Sequence, residues 1–404
     1  MNRFACKALT TVCLMLCVLA PVAAQRYTAR QDGDVVTLMD TVAKMKVAVY
    51  TPMGKPWLVQ VDGQNLVLTA PSLEAFKARS GLTGIPLLAP FANRLDQTAF
   101  YANGKKYTFD MGLGNVRGPI PGTGFVNGST DWKLAGFHAD AKSAWVTCRL
   151  DFYRIPEFMK QFPFAHTITM TYRVSEGTLE VHTRLDNLSD EPMPVVIGFH
   201  PIYSLPEGNR NDWTVSVAAK THWIEIPERL PTGETQPIED FFNADKSRTA
   251  VHLKNYGLID DVFTDLVRGP EGRATMRLMY HGKELDEILG PNFKTVLLWS
   301  PPLPAAAAFL HGFHGVRRPQ NQAPPMPSGP YPVDPAKGEK TAPRAVPPPP
   351  GSVPPDVKGF IAMEPMVAIT DALNLAQKGV YKNLQSIPPR GSWEGSFWIT
   401  AKGF

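Results

Sequence analysis

Cysteine is scarce in this chain: four in 404 residues, and three of them, Cys6, Cys13 and Cys17, stand in the first 24. Beyond that segment only Cys148 is left, which excludes an intramolecular disulfide and a thiolate metal cluster. Cys148 lies in the alternating run Ala144–Leu150, where a buried structural thiol is expected rather than a nucleophile. An excess of one charge is lacking too. The formal net charge is +4, and it falls to +2 once residues 1–24 are set aside, because they carry Arg3 and Lys7 and no acid. That leaves no electrostatic footprint for nucleic acid. The apolar run Ala8–Ala20 is too short to span a bilayer. With a basic start before it and the small residues Val22-Ala23-Ala24 before Gln25, it reads as a secretory signal. An exported protein, periplasmic or extracellular, is expected, with no membrane span once the signal is removed.

Long helical periodicity is also hard to find, with one short helix expected inside Leu66–Arg79. What fills the chain instead is short alternating segments broken by Gly, Pro, Asn and Asp. Lys46–Tyr50 and Trp57–Val61 read as strands, with Asp62-Gly63 as a turn. The clearest hairpin joins His166–Val174 to Thr178–Leu185 through the three-residue loop Ser175-Glu176-Gly177. Gly391–Trp398 reads as the last strand. Many short strands at even spacing predict an all-β sandwich, and 404 residues can bury a large core. Residues 301–357 differ: they hold 17 of the 39 prolines, which rules out a sheet interior. Good strands flank them, Thr295–Trp299 and Phe360–Met363, so they read as an insertion within one domain of residues 25–404. Such an insertion is placed to act as a lid over a pocket. Within it, one or two helical turns are expected at Ala305–Leu310, and His311 and His314 lack an evident third metal ligand.

Several segments carry polar residues where strands or turns hold them. The apolar strand Phe360–Met363 is expected to stop at Glu364, because Pro365 cannot donate the next ladder hydrogen bond. Pro194–Leu205 repeats that layout, its apolar run ending in His200-Pro201 and continuing to Tyr203. Leu87–Leu95 turns after Pro90 at Asn93-Arg94. Asn115–Phe125 contains Arg117 in a Gly- and Pro-rich frame, with Trp132 following. Ile259–Leu266 carries Asp260 and Asp261 ahead of Phe263, and by its residues alone reads as an acidic turn.

Taken together and in order, these segments resemble the aldose 1-epimerase (galactose mutarotase-like) family, over most of residues 35–300 and 358–403. The resemblance implies a large antiparallel β-sandwich of the galactose mutarotase type. It implies Glu364 as general base and His200 as general acid, with Arg94, Arg117, Asp260 (Asp261 as the alternative), Asn93 and Tyr203 around the sugar. Interconverting anomers needs a proton taken from the C1 hydroxyl and one given to the ring oxygen, which a carboxylate and an imidazolium supply without metal or cofactor. The expected partner is therefore a small sugar. Phe91, Phe199, Tyr203 and Trp299 are candidates for the flat apolar surface such a site wants. One position departs from the family's pattern: Arg117 stands where a His is expected. An Arg there can hold a hydroxyl, favour an anionic sugar, or mark a carbohydrate-binding protein that has lost the activity.

Overall fold

Residue alternation becomes paired strands throughout the computed structural model, which describes residues 25–111, 116–117, 120–313 and 358–404. The side chains of 112–119, 308 and 311–313 lie outside this description. Thr178–Asn187 buries every second residue, and its partner His166–Ser175 pairs with it along its whole length. Ser175 itself pairs with Thr178, so the hairpin loop is two residues, not three. Glu176 and Gly177 both take positive φ, 50° and 69°, the backbone whose twist matches that of the strands it joins.

This hairpin belongs to a nine-stranded sheet that runs from Lys133–Ala139 through Ser392–Lys402 to Val251–His252. A second, eight-stranded sheet has at its centre Ile259–Thr264, Thr295–Ser300 and Ile361–Met366, side by side, and ends at Gly198–Phe199 and Leu87–Leu88. A five-stranded antiparallel sheet over Tyr27–Asn65 completes the main layers. The two large sheets share one hydrophobic core, in which Val181, Leu185 and Phe397 of the first meet Val262, Phe199 and Met363 of the second. Phe199 and Phe397 touch across the gap, with ring centroids 4.9 Å apart. The all-β expectation holds. Cys148 is buried on Ala144–Leu150, and burial pushes its thiol up to about 12. Among the described residues no helix is long and apolar enough to cross a membrane.

Three local expectations are corrected. First, the Glu364 strand does not stop at the acid: it continues through Pro365 to Met366, pairing Glu364 with Leu297 and Pro365 with Val296. On the other flank the ladder is interrupted, running Tyr203↔Ile361 and Ile202↔Ala362 and resuming at Gly198↔Met366. The sheet thus has a notch beside a proline that has no N–H to offer a ladder. His200-Pro201 occupies that interruption. Second, Ile259–Leu266 is no turn: Ile259–Thr264 is a buried inner strand. Third, the helix after Trp299 runs Leu303–Phe313, longer than two turns, since Pro304 falls in the first turn where its missing N–H costs nothing. The helix expected near Leu66–Arg79 is Leu73–Ala78, capped by Ser72. His314 and the rest of the insertion through residue 357 lie outside the described residues.

Candidate active site

The notch in the eight-stranded sheet brings a histidine and a carboxylate together. His200 Nε2 lies 3.1 Å from Glu364 Oε1, with side chains 3% and 2% exposed. The His200 N–H donates to the carbonyl of Pro86 at 3.1 Å, which fixes the ring's base next to Leu87–Leu88. Trp299, on the strand beside Glu364, stands edge-on to the His200 ring at 5.5 Å. Phe360 and Phe309 hold that indole from behind, at 4.9 and 5.0 Å.

Facing this pair is a second, oppositely built one. Arg94 Nη2 donates to Asp260 Oδ2 at 2.9 Å, while Nη1 donates to Asn93 Oδ1 at 2.9 Å. Both charges are nearly dry, 5% and 4% exposed, and a buried charge persists only when it is paired in this way. Asn93, Arg94, Thr123, His200, Asp260, Trp299 and Glu364 line one cleft. Its volume is about 10 Å³, room for a single water.

Asp260 has support of its own. Asp261 Oδ2 accepts the Asp260 N–H at 2.9 Å, and Asp261 Oδ1 lies 3.0 Å from His222 Nε2. Burial opposes ionisation of Asp261, but the His222 hydrogen bond and charge, together with Arg229, outweigh it and hold the carboxyl below its usual range. Glu225 goes the other way. Burial, then the charges of Asp261 and Asp260, push its carboxyl well above the usual range, against the opposing pull of Arg229 and Arg94.

Of the residues expected around a substrate, the fold therefore gathers Asn93, Arg94, Asp260, His200 and Glu364. Tyr203 is elsewhere: its side chain points into the core between the sheets and its hydroxyl donates to Glu287 at 2.5 Å. Its strand neighbour Ile202 takes the opposite face, as period-2 alternation requires. The Arg117 side chain lies outside the described residues, while its backbone pairs with Ile120. Among the four candidate aromatics only Trp299 reaches the cleft, since Phe91 and Phe199 are core residues. Thr123 was not singled out by the sequence, and its signal is only a position before Gly124 in the Gly-rich stretch. Among the described residues, no group of three or more His, Cys, Asp or Glu is set to hold a metal ion.

A larger depression of about 310 Å³ shares no residue with this cleft; Arg149, Arg184, Asp186 and Arg390 line it. Each of those arginines is matched by a carboxylate, Asp151, Asp186 or Asp190, so the depression holds ion pairs and no reactive pair. The His200–Glu364 cleft, though much smaller, is where opposed acid and base groups meet.

Comparison with known proteins agrees with the architecture. A sequence profile for the family described as Aldose 1-epimerase matches residues 56–341. A galactose mutarotase-like protein from Clostridium acetobutylicum superposes with a TM-score of 0.69 at 16% identity, covering 94% of this chain and 98% of that one. A GalM/aldose epimerase homologue from C. elegans gives 0.61 at 14% identity, with 93% and 98% covered. A galactose 1-epimerase from Lactobacillus acidophilus gives 0.56 at 16%, again with 93% and 98% covered. At these identities the structural likeness shows the fold.

Proposed function

Since the chain belongs to the aldose 1-epimerase family and has its galactose mutarotase-like fold, we propose that it interconverts the α and β anomers of an aldose. The observation that carries this reading is the buried His200–Glu364 contact inside a cleft otherwise lined by hydroxyl-binding groups and one indole. Glu364 takes the proton from the C1 hydroxyl as the C1–ring-oxygen bond breaks, and His200 delivers a proton to the departing ring oxygen. C1 becomes the aldehyde carbon, the C1–C2 bond rotates, and closure from the other face reverses both transfers. The step requires the two groups in opposite protonation states, carboxylate beside imidazolium, and their 3.1 Å contact sets them face to face for it.

In this reading substrate binding parts His200 from Glu364, which stand in direct contact without it. The C1 hydroxyl and the ring oxygen, both bonded to C1, then take the place of their direct contact. Arg94, Asn93 and Asp260 supply donors and acceptors for the remaining hydroxyls, and Trp299 supplies the apolar wall.

The test is anomeric exchange followed by NMR on neutral sugars, uronates and sugar phosphates, with Glu364→Gln and His200→Asn beside the wild type. Each substitution is expected to slow exchange by roughly 10²- to 10⁴-fold, and exchange unaffected by Glu364→Gln would sink the proposal. Calorimetric binding of a sugar with no exchange above the solvent rate would instead make the chain a carbohydrate-binding protein on the same scaffold.

A further inference from the structure

Three residues other than glycine hold left-handed backbone around Arg94: Asn93 at φ 55°, Thr123 at 61° and Asp371 at 59°. Such a conformation is disfavoured for a β-branched residue and tolerated, at some cost, by Asn and Asp, so it persists where neighbouring contacts demand it. Here they all grip the same short loop. The Thr123 N–H donates to the Asn93 carbonyl at 2.5 Å, and the Asp371 N–H donates to the Arg94 carbonyl at 3.0 Å. The Asp371 side chain then reaches one step further, its Oδ1 accepting the N–H of Asp96 at 3.0 Å.

The grip is reinforced from the helix that Asp371 begins, Ala372–Gln377. Asn374 Nδ2 donates to Asp371 Oδ1 and to Asp96 Oδ1, both at 2.8 Å, and to the Ala99 carbonyl at 3.2 Å. Lys378 Nζ meets the other Asp96 oxygen at 2.5 Å. Residues 371, 374 and 378 share one face by helical spacing. Asp371 follows the Ile361–Met366 strand by five residues, so the segment that carries Glu364 also holds the loop that carries Arg94.

We infer that Asp371, backed by Asn374, is a positioning residue: it fixes the Arg94 backbone so that the guanidinium meets Asn93 and Asp260 in the cleft, and so couples the sugar-holding arginine to the Glu364 segment. The inference rests on the epimerase reading for its kinetic consequence and on the hydrogen bonds alone for its structural one. Asp371→Asn keeps both the left-handed preference and an acceptor for the Asp96 N–H. Asp371→Gly keeps the backbone freedom and removes the acceptor. Asn374→Ala leaves Asp371 in place and removes the bridge to Asp96.

The experiment reads two things in each folded variant: kcat and KM for anomeric exchange, and the Nε–H resonance of Arg94 in the unliganded protein. Asp371→Gly is expected to raise KM roughly tenfold with kcat little changed and to shift the Arg94 resonance. Asn374→Ala should do the same to a smaller degree, and Asp371→Asn should restore wild-type values. An unmoved Arg94 resonance in both Asp371→Gly and Asn374→Ala would overturn the inference, as would an unchanged KM with only a lower melting temperature. If the wild type catalyses no anomeric exchange, the epimerase reading fails, and the Arg94 resonance still decides this one.

Discussion

Arg94 spends its two terminal nitrogens on two different acceptors, Asn93 and Asp260, and none of the three is exposed. Taking away one partner of such a pair leaves the other charge dry and alone. Asp260→Ala is therefore expected to destabilise the protein by about 3–5 kcal/mol, read as a lower urea midpoint at unchanged slope, while Asp260→Asn, which keeps an acceptor, costs less. An equal cost for the two would mean that solvent reaches Arg94 freely. Residue type alone did not foretell which acid this would be. Asp260 and Asp261 are adjacent, and in a strand adjacent side chains point to opposite faces. Asp260 faces Arg94 in the cleft, and Asp261 faces His222. The same rule carries Tyr203 into the core, to Glu287, although it is only three residues from His200.

At the scale of elements, the cleft depends on how closely the loop at residues 122–126 can lie on the one that leads to Arg94. Phe125 and Val126 both donate to the Ala89 carbonyl, and Gly124 between them and Thr123 has φ 61°. A Cβ built on Gly124 would meet that carbonyl oxygen at 2.2 Å, well inside contact distance and against rigid backbone. Gly124→Ala is thus expected to lower stability by more than about 1 kcal/mol and to raise KM, because Thr123 also anchors Asn93. A thermal melt and a Michaelis curve check both, and an unchanged KM would separate the loop from the site. The Glu364 strand shows the complementary case. Its proline suggested an end, but a proline is tolerated where a neighbouring strand is interrupted, and that interruption is what admits His200.

Taken as a whole, the molecule buries a few ionisable groups that the site does not use, and these set its response to pH. Lys55 is fully buried; its amine donates to the Gly81 carbonyl and to Asn127 Oδ1, both at 3.0 Å, and lies over the Phe76 ring. Among the described residues no carboxylate pairs with it, and burial lowers its pKa to about 7. Between about pH 7 and the lysine's ordinary 10.5 the unfolded chain holds a proton that the native state has released, so the contribution of Lys55 to stability rises with pH, against the buried carboxyls of Glu225 and Glu287, whose raised pKa values act the other way. Above about 9 the buried Cys148 thiol opposes the trend, since its pKa is raised to about 12 and the unfolded thiol ionises first. The difference in unfolding free energy between the wild type and Lys55→Met, from urea titrations at pH 7, 8 and 9, should therefore shift in favour of the wild type by about 1 kcal/mol per pH unit, and a difference that does not change with pH would show that Lys55 keeps its proton in the folded state. On the acid side His166, buried against Phe152 with its pKa lowered to about 4, removes stability as pH falls from 6.5 to 4. Asp371 acts against it there, its carboxyl being raised to about 7 by burial and by the charge of Asp96, against the pull of the Asp96 N–H.

The sequence by itself determined the elements and the chemistry they carry. Alternation along Ala144–Leu150, His166–Ser175 and Thr178–Asn187, and the turn residues between runs, are local properties that fold within a few residues of where they are written. The wording around Asn93-Arg94, His200-Pro201 and Glu364-Pro365 was equally legible, being contiguous. What only the tertiary structure decided is which of these side chains meet. Arg94 and Asp260 are 166 residues apart, and the pairing of strands across such spans depends on register and on which face is buried, neither of which periodicity encodes. So the His200–Glu364 contact, the choice between Asp260 and Asp261, the loss of Tyr203 to the core and the grip of Asp371 on the Arg94 loop come from long-range packing, where one residue's slip would turn every side chain of a strand to the other side.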